Sequence, residues 1–441
     1  MGDNEILNNL AGIVSGENAV PGDGAAEFSV GGVAPRIVLF PGTVEEVSEI
    51  MKAASRDSLS VIPMGSNTKS GLGDAVTRAD VALSVKRLGR ILEHESADMV
   101  ATAECGMTLA AFQEGLGGKN QFLPVDPPHA KEGATLGGII ASGDSGPERL
   151  RYGTTRELLI GMKAVRADGT IFNGGAKVVK NVAGYDLPKL FVGSLGTLGV
   201  LVEATFRLYP VPEFSRTCVA GFGSLEDSQA AVHALLNSDV VMTSLEHVTP
   251  LLAEAVSERS GAPVKRGSYH LAVRIANVDK AVRDQTELVR GILKNHGAEA
   301  SVVEGDVENC FWNGIREFPG GPSEEGRAVL KAGVVISEVP SVFKVIEMLA
   351  DGGVAALASA RAGNGVIMIE LRGDDHALVS AIDSLRMVSE SGGGTLVIND
   401  ASPDVKSAAG VWGDLGSGYD LMKRIKSGYD PLNILNPGRL V

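Results

Sequence analysis

Histidine and cysteine are scarce in this chain of 441 residues, with seven of the first and three of the second. Cys105, Cys218 and Cys310 lie far apart with no CxxC spacing, so a zinc site, an iron–sulfur cluster or a dithiol redox pair has no local framework. They read as buried thiols in a reducing compartment. No HxH, HxxH or HExxH pair occurs, which leaves nothing local to hold a metal, and none is expected. Basic residues are outnumbered, 40 Lys and Arg against 54 Asp and Glu, for a net charge of −14. Nucleic acid and anionic membrane surfaces both demand concentrated positive charge, so neither is an expected partner. No apolar run approaches the length that crosses a bilayer. The N-terminal stretch MGDNEILNNLAGIVSGENAV puts acidic residues where a secretory leader carries basic ones, and a cytoplasmic location is the expectation.

Glycine, by contrast, is abundant at 56 residues, within a chain that is 44% hydrophobic and 21% charged. That balance is globular, and the length exceeds what one core serves, so two domains are expected. TVEEVSEIMKAAS carries a capping-box pattern at Thr43 and Glu46 and apolar residues at helical spacing. ELLIGMKAVRADGTIFNGG reads as a strand pair turning at Asp168 and Gly169. A long strand then stops at Pro210 and Pro212, which sets a boundary between residues 1–212 and 213–441. Beyond it a strand, an amphipathic helix and another strand recur four times, from CVAGFGS to TLVIND, predicting a sheet with helices on one face. REFPGGPSEEG reads as a solvent-exposed loop. The C-terminal segment 419–441, GYDLMKRIKSGYDPLNILNPGRLV, is expected to pack back onto the first domain.

The glycines concentrate in loops. In TLGGIIASGDSG small residues alternate with Leu136, Ile139 and Ile140, a pattern that lets main chain approach something flat or phosphorylated because no Cβ intervenes. PMGSNTKSG, residues 63–71, offers successive backbone N–H groups suited to a diphosphate. It matches neither GxxxxGK[ST] nor GxGxxG, which argues against triphosphate hydrolysis and Rossmann-type dinucleotide binding.

With APRIVLFPGTVEEV, VDPP, RYGTTRE, VKNVAGYDLPKLFVGSLGTLGV and DPLNILNPGRL, these loops resemble the PCMH-type FAD-binding fold of the vanillyl-alcohol oxidase superfamily, and within it the FAD-binding subunits of glycolate oxidases. The resemblance covers nearly the whole chain. It implies an α+β fold: a two-subdomain FAD-binding domain followed by an α+β cap with an antiparallel sheet. It also implies site residues. Pro63 and Met64 would lead into Gly65, Ser66, Asn67 and Thr68, which would cradle the diphosphate, with Gly71 finishing the loop. Pro127, Thr135, Gly137, Gly138, Ser142 and Gly143 would line the flavin and its ribityl chain, and Gly199 and Val200 would add backbone contacts. Covalent relatives carry His or Cys near the first loop; this chain has neither there, so non-covalent FAD is implied.

In the cap, SARAGNGVIMIE has Arg361 and Asn364 but no histidine, where related stand-alone D-2-hydroxyacid dehydrogenases carry metal-binding histidines. The implied function is the FAD-binding subunit of a glycolate or other 2-hydroxyacid oxidase complex, beside a second flavoprotein subunit and an iron–sulfur subunit through which any membrane association would run. The isolated chain is then expected to oxidise D-lactate and glycolate negligibly. One alternative is a stand-alone FAD-linked D-2-hydroxyacid dehydrogenase in which Arg361 or Arg372 clamps the substrate carboxylate. Another is a non-catalytic structural FAD subunit.

Overall fold

The computed structural model describes residues 3–176, 185–321 and 324–440. Near the N-terminus a four-stranded sheet runs in the order Ala19–Pro21, Ile37–Leu39, Val81–Ser84, Val61–Met64. Its last three strands are parallel and its first is antiparallel. The helix Val44–Arg56 starts as its sequence predicts: Thr43 Oγ1 accepts from Glu46 N, while the Glu46 carboxylate accepts from Gly42 N rather than from Thr43. Its buried face, Val47, Ile50, Met51 and Ala54, packs against Leu39, Val61 and Leu83.

A five-stranded antiparallel sheet follows, ordered Ile91–Glu95, Val100–Glu104, Val200–Arg207, Leu159–Val165, Ile171–Gly175. The hairpin turns at Asp168 and Gly169, where Gly169 has φ +82°. The helices Leu109–Gly117 and Leu136–Ser142 share one core with this sheet. Much of VKNVAGYDLP lies at 177–184, outside the described residues.

The four strand–helix–strand units fold into one eight-stranded antiparallel sheet. Its order is Ala300–Val303, Phe214–Phe222, Tyr269–Asn277, Ser244–Val248, Ala355–Arg361, Val366–Arg372, Arg327–Gly333, Thr395–Ala401. Their four connecting helices cover one face, burying Cys218, Leu271, Leu330 and Ile369 among others. Two helices not anticipated from the sequence, Pro250–Ser260 and Gly305–Arg316, cover part of the opposite face through Ala272, Val219 and Met368. The parity of each strand separates the two cores: Ala272 points away from Leu271 and Val273. The rest of that second face is polar and turns toward the N-terminal sheets.

Two local expectations are corrected. Cys310 is exposed on the helix Gly305–Arg316, whereas Cys105 and Cys218 are buried, and burial pushes the Cys218 thiol up to about 12. In REFPGGPSEEG, Gly321, Glu324 and Glu325 are exposed, but Phe318 is buried in the core formed by the two extra helices, so the loop is anchored by an aromatic. The C-terminal segment does return to the N-terminal sheet: Ile434 and Leu435 are fully buried beside Leu39 and Val61, and Leu435 pairs in parallel with Val61. Among the described residues no helix is long and apolar enough to cross a membrane.

Candidate functional site

A cleft of about 990 Å³, including the solvent at its mouth, opens between the two N-terminal sheets. Of the residues expected at the cofactor, Pro63, Met64, Gly65, Ser66, Asn67, Thr68, Pro127, Thr135, Gly137, Gly138, Ser142, Gly199 and Val200 all line it. Gly71 and Gly143 do not. A Cβ on Gly71 would meet Asp400 Oδ1 at 2.3 Å, and its carbonyl accepts from Lys406 Nζ. Gly143 ends the helix Leu136–Ser142 in a left-handed conformation at φ +66° and lies against Gly193. Both glycines are closely packed outside the cleft lining.

The lining suits FAD on two observations. The backbone N–H groups of Ser66, Asn67, Thr68 and Lys69 find no acceptor among the described residues, and Asn67 takes a left-handed φ of +60°. Consecutive free N–H groups around such a turn form an anion nest. Second, the floor leaves no room for side chains: a Cβ at Gly65 would lie 2.1 Å from Thr135 Oγ1, and one at Gly137 would lie 3.0 Å from Cys105 Cβ. The N-terminus of the helix Leu136–Ser142 is not itself the anion site. Its first N–H groups are spent on Met107 O, Cys105 O and Thr135 Oγ1.

Beside the cleft, the polar face of the large sheet meets residues 126–149. Arg361 and Glu246 sit opposite each other on adjacent strands, and Ser359, two residues back on the same face, donates to Glu246 Oε2. Lys331 shares that face, since it pairs with Met368, which pairs with Ser359. Arg361 is only 7% exposed, yet no carboxylate of the described residues pairs with it and its Nε has no acceptor. Lys331 likewise has no ion-pair partner among them; burial pushes its pKa down, against the pull of Asp144. Burial also depresses Arg149, with Arg361 adding like-charge repulsion.

The facing acids divide by environment. Burial would raise Asp144, but Lys69 at 2.7 Å together with Lys331 and Arg361 holds it below the ordinary carboxylate range. Burial, reinforced by the Glu148 carboxylate, pushes Asp126 up to about 8. Burial likewise raises Glu148, although Arg274 lies 2.8 Å from it, and raises Glu246 against the attraction of Arg361. This is a preorganised, positively biased chamber in which burial shifts Asp126, Glu148 and Glu246 toward their protonated forms.

The two arginines proposed as carboxylate clamps separate. Arg361 faces the chamber; Arg372 is half exposed and pairs at 2.8 Å with Glu370, a buried carboxylate that Arg327 also holds, and at 3.3 Å with exposed Glu324. Asn364 stands in the turn after Arg361, with its Oδ1 buried and unpaired. His247 lies on the helix-covered face between Tyr269 and Phe343, and burial pushes it down to about 3. Sequence reasoning missed Lys69, Asp144, Gly196, Asn436 and Arg439 in the cleft and Asp126, Arg149, Glu246 and Lys331 in the chamber. Lys69, Asp126, Asp144, Gly196, Asn436 and Arg439 stood inside quoted motifs; Arg149, Glu246 and Lys331 carried no local signal. Among the described residues no group of three or more His, Cys, Asp or Glu could hold a metal.

Comparison with known proteins agrees with this geometry. Residues 35–175 match the FAD binding domain family, and residues 211–369 and 412–440 match the C-terminal domain of FAD linked oxidases. The chain is 28% identical to glycolate oxidase subunit GlcD of Bacillus subtilis, over 92% of this chain and 89% of that one. It is 30% identical to a D-lactate dehydrogenase of Archaeoglobus fulgidus, over 93% of each. In fold it is similar to p-cresol methylhydroxylase, with a TM-score of 0.77 at 17% identity over 99% of this chain and 96% of that one. Alkyldihydroxyacetonephosphate synthase gives 0.73 at 18% identity, over 99% and 85%. A diphosphate nest, a cleft floored by glycine and matches to both halves of the family thus make this chain a member of the FAD-linked oxidases, oxidoreductases that join a PCMH-type FAD-binding domain to the family's C-terminal domain.

Proposed function

We propose that this chain oxidises a small 2-hydroxy acid, using FAD held non-covalently between residues 65–69 and the helix Leu136–Ser142. Bound FAD supplies the hydride acceptor. Arg361 carries the substrate half of this reading: a buried guanidinium with no carboxylate partner is costly until an anion joins it, and its planar fork suits a carboxylate. Lys331 adds positive field on the same face, and Asp126, pushed up to about 8, is suited to take the hydroxyl proton in its ionised form, which grows in as pH rises through that value. Non-covalent attachment is supported by a cleft lining without His or Cys among the described residues. Cys105, the nearest thiol behind Gly137, is kept protonated by burial. A division near residue 212 is supported by the start of the second family match at residue 211, and the packing of Ile434 and Leu435 beside Leu39 and Val61 supports grouping segment 419–441 with the first unit.

The likeness to a glycolate oxidase subunit supports work within a complex, where a second flavoprotein subunit and an iron–sulfur subunit carry electrons onward. A stand-alone FAD-linked D-2-hydroxyacid dehydrogenase is the second reading. It is favoured by the likeness to D-lactate dehydrogenase and by Arg361, which equips this chain to touch substrate itself. Turnover of D-lactate and glycolate with an artificial acceptor, measured on the FAD-loaded chain alone and with its partner subunits, separates the two. Activity that needs the partners supports the complex; equal activity without them supports the stand-alone enzyme.

A further inference from the structure

Three charged side chains line the FAD cleft among the described residues: Lys69, Asp144 and Arg439. Lys69 and Asp144 neutralise each other across 2.7 Å. Arg439 has no carboxylate partner among the described residues, is 7% exposed, and has its proton affinity depressed by burial alone. The net positive charge of the cleft therefore rests on one guanidinium.

Its position is fixed from the backbone outward. The run 434–439 lies along the edge strand Val61–Met64, with Val61 N donating to Ile434 O at 2.7 Å and Asn436 N donating to Val61 O at 3.0 Å. Asp74 N then donates to Arg439 O at 3.1 Å. From that anchored backbone, Arg439 Nη2 donates to the carbonyl oxygens of Lys69 at 3.0 Å and Ser70 at 2.9 Å. Those carbonyls belong to the loop whose Ser66 to Lys69 N–H groups lack acceptors. Arg439 Nε and Nη1 make no hydrogen bond to described residues, which leaves N–H donors on either side of Nη2 for a ligand. Carbonyls alone do not compensate a buried cation, and a guanidinium donates charge-assisted hydrogen bonds to phosphate oxygens.

We infer that Arg439 is the counter-charge for the FAD diphosphate, brought to the nest by the run 434–439. It is a binding residue that joins two segments distant in sequence, and the inference rests on the FAD assignment. The test titrates apo-protein with FAD, with ADP, which carries the diphosphate without the flavin, and with riboflavin, which carries the flavin without phosphate. Arg439→Ala and Arg439→Gln are expected to raise the Kd for FAD roughly 10- to 100-fold, the range of a charge-assisted hydrogen bond. ADP should weaken in parallel, riboflavin should change less than about twofold, and Arg439→Lys should fall between wild type and Arg439→Ala. Arg439→Gln keeps a donor for the loop carbonyls, so it separates loss of charge from loss of loop structure. An unchanged FAD Kd in both charge-removing variants would overturn the inference. So would riboflavin weakening as much as FAD, because that pattern assigns Arg439 to loop structure alone. Failure of the wild-type protein to bind FAD would instead sink the cofactor assignment.

Discussion

Replacing Gly65 by alanine tests how tightly the cleft floor is built. The added Cβ would lie 2.1 Å from Thr135 Oγ1, 2.8 Å from its Cγ2 and 2.9 Å from its Cβ. Thr135 is 2% exposed and caps the helix Leu136–Ser142 by accepting from Gly138 N at 3.2 Å. Swinging it aside gives up a helix cap, about 1 kcal/mol; leaving it in place overpacks a buried site, about 1–3 kcal/mol. Whichever occurs, the loss is about 1–3 kcal/mol, and at roughly 2–4 °C per kcal/mol for a domain of this size the melting temperature should drop by roughly 2–12 °C. Thermal unfolding of the apo-protein reads the packing cost, and the ratio of flavin to protein after purification reads its effect on the cofactor. Glycine is tolerated at a helix N-cap, so Thr135→Gly added to Gly65→Ala should recover most of the loss, a non-additive pair. A Gly65→Ala protein that melts like wild type and keeps stoichiometric FAD would refute the reasoning. A double variant no better than the single one would show that Thr135 is not the obstacle.

Arg361→Ala should lower kcat/KM for 2-hydroxy acids roughly 10- to 100-fold, mostly through KM, while Arg372→Ala should change it less than about twofold because Arg327 still holds Glu370; equal effects would remove Arg361 from the substrate site. Acid or heat denaturation should release intact FAD into the supernatant, and flavin remaining with the precipitated chain would contradict non-covalent binding. Because Asp126 binds its proton more tightly when folded, its contribution to stability is present below the ordinary carboxyl range and is lost as pH rises through about 8. Melting temperature should therefore fall with pH more steeply across that window in wild type than in Asp126→Asn, and parallel curves would refute the assignment.

The cofactor loop was legible in the sequence because its chemistry is backbone chemistry, and PMGSNTKSG and ATLGG spell out where Cβ atoms are missing. Gly71 and Gly143 lie outside the cleft lining, against Asp400 and Gly193, and a glycine needed for close packing looks identical in sequence to one needed for a ligand. Strand parity and pairing decided between the arginines: Arg361 stands opposite Glu246 in the sheet interior, while Arg372 ends its strand beside Glu370 and Glu324. Lys331 and Glu246 could not be found by spacing, because the sheet order that puts them on one face with Arg361 is set by pairing across the whole C-terminal half. Arg439 was hidden for a related reason. It bonds a carbonyl 370 residues earlier in the chain, and only the packing of run 434–439 on the edge strand reveals the contact. The two extra helices fall in the connections between the repeated strand–helix–strand units, and Pro250–Ser260 carries only a weak one-sided apolar pattern to mark it.

The reductive half-reaction tests the central claim most directly. FAD-loaded protein is mixed without oxygen with D-lactate, glycolate and, as controls, the matching alcohols that lack a carboxylate, while the visible absorbance of the flavin is followed. The account predicts bleaching by at least one 2-hydroxy acid, none by the alcohols, and strong slowing in Arg361→Ala. Flavin that stays oxidised with every hydroxy acid, both in the isolated chain and in the complete complex, or that bleaches equally with the alcohols, would contradict it.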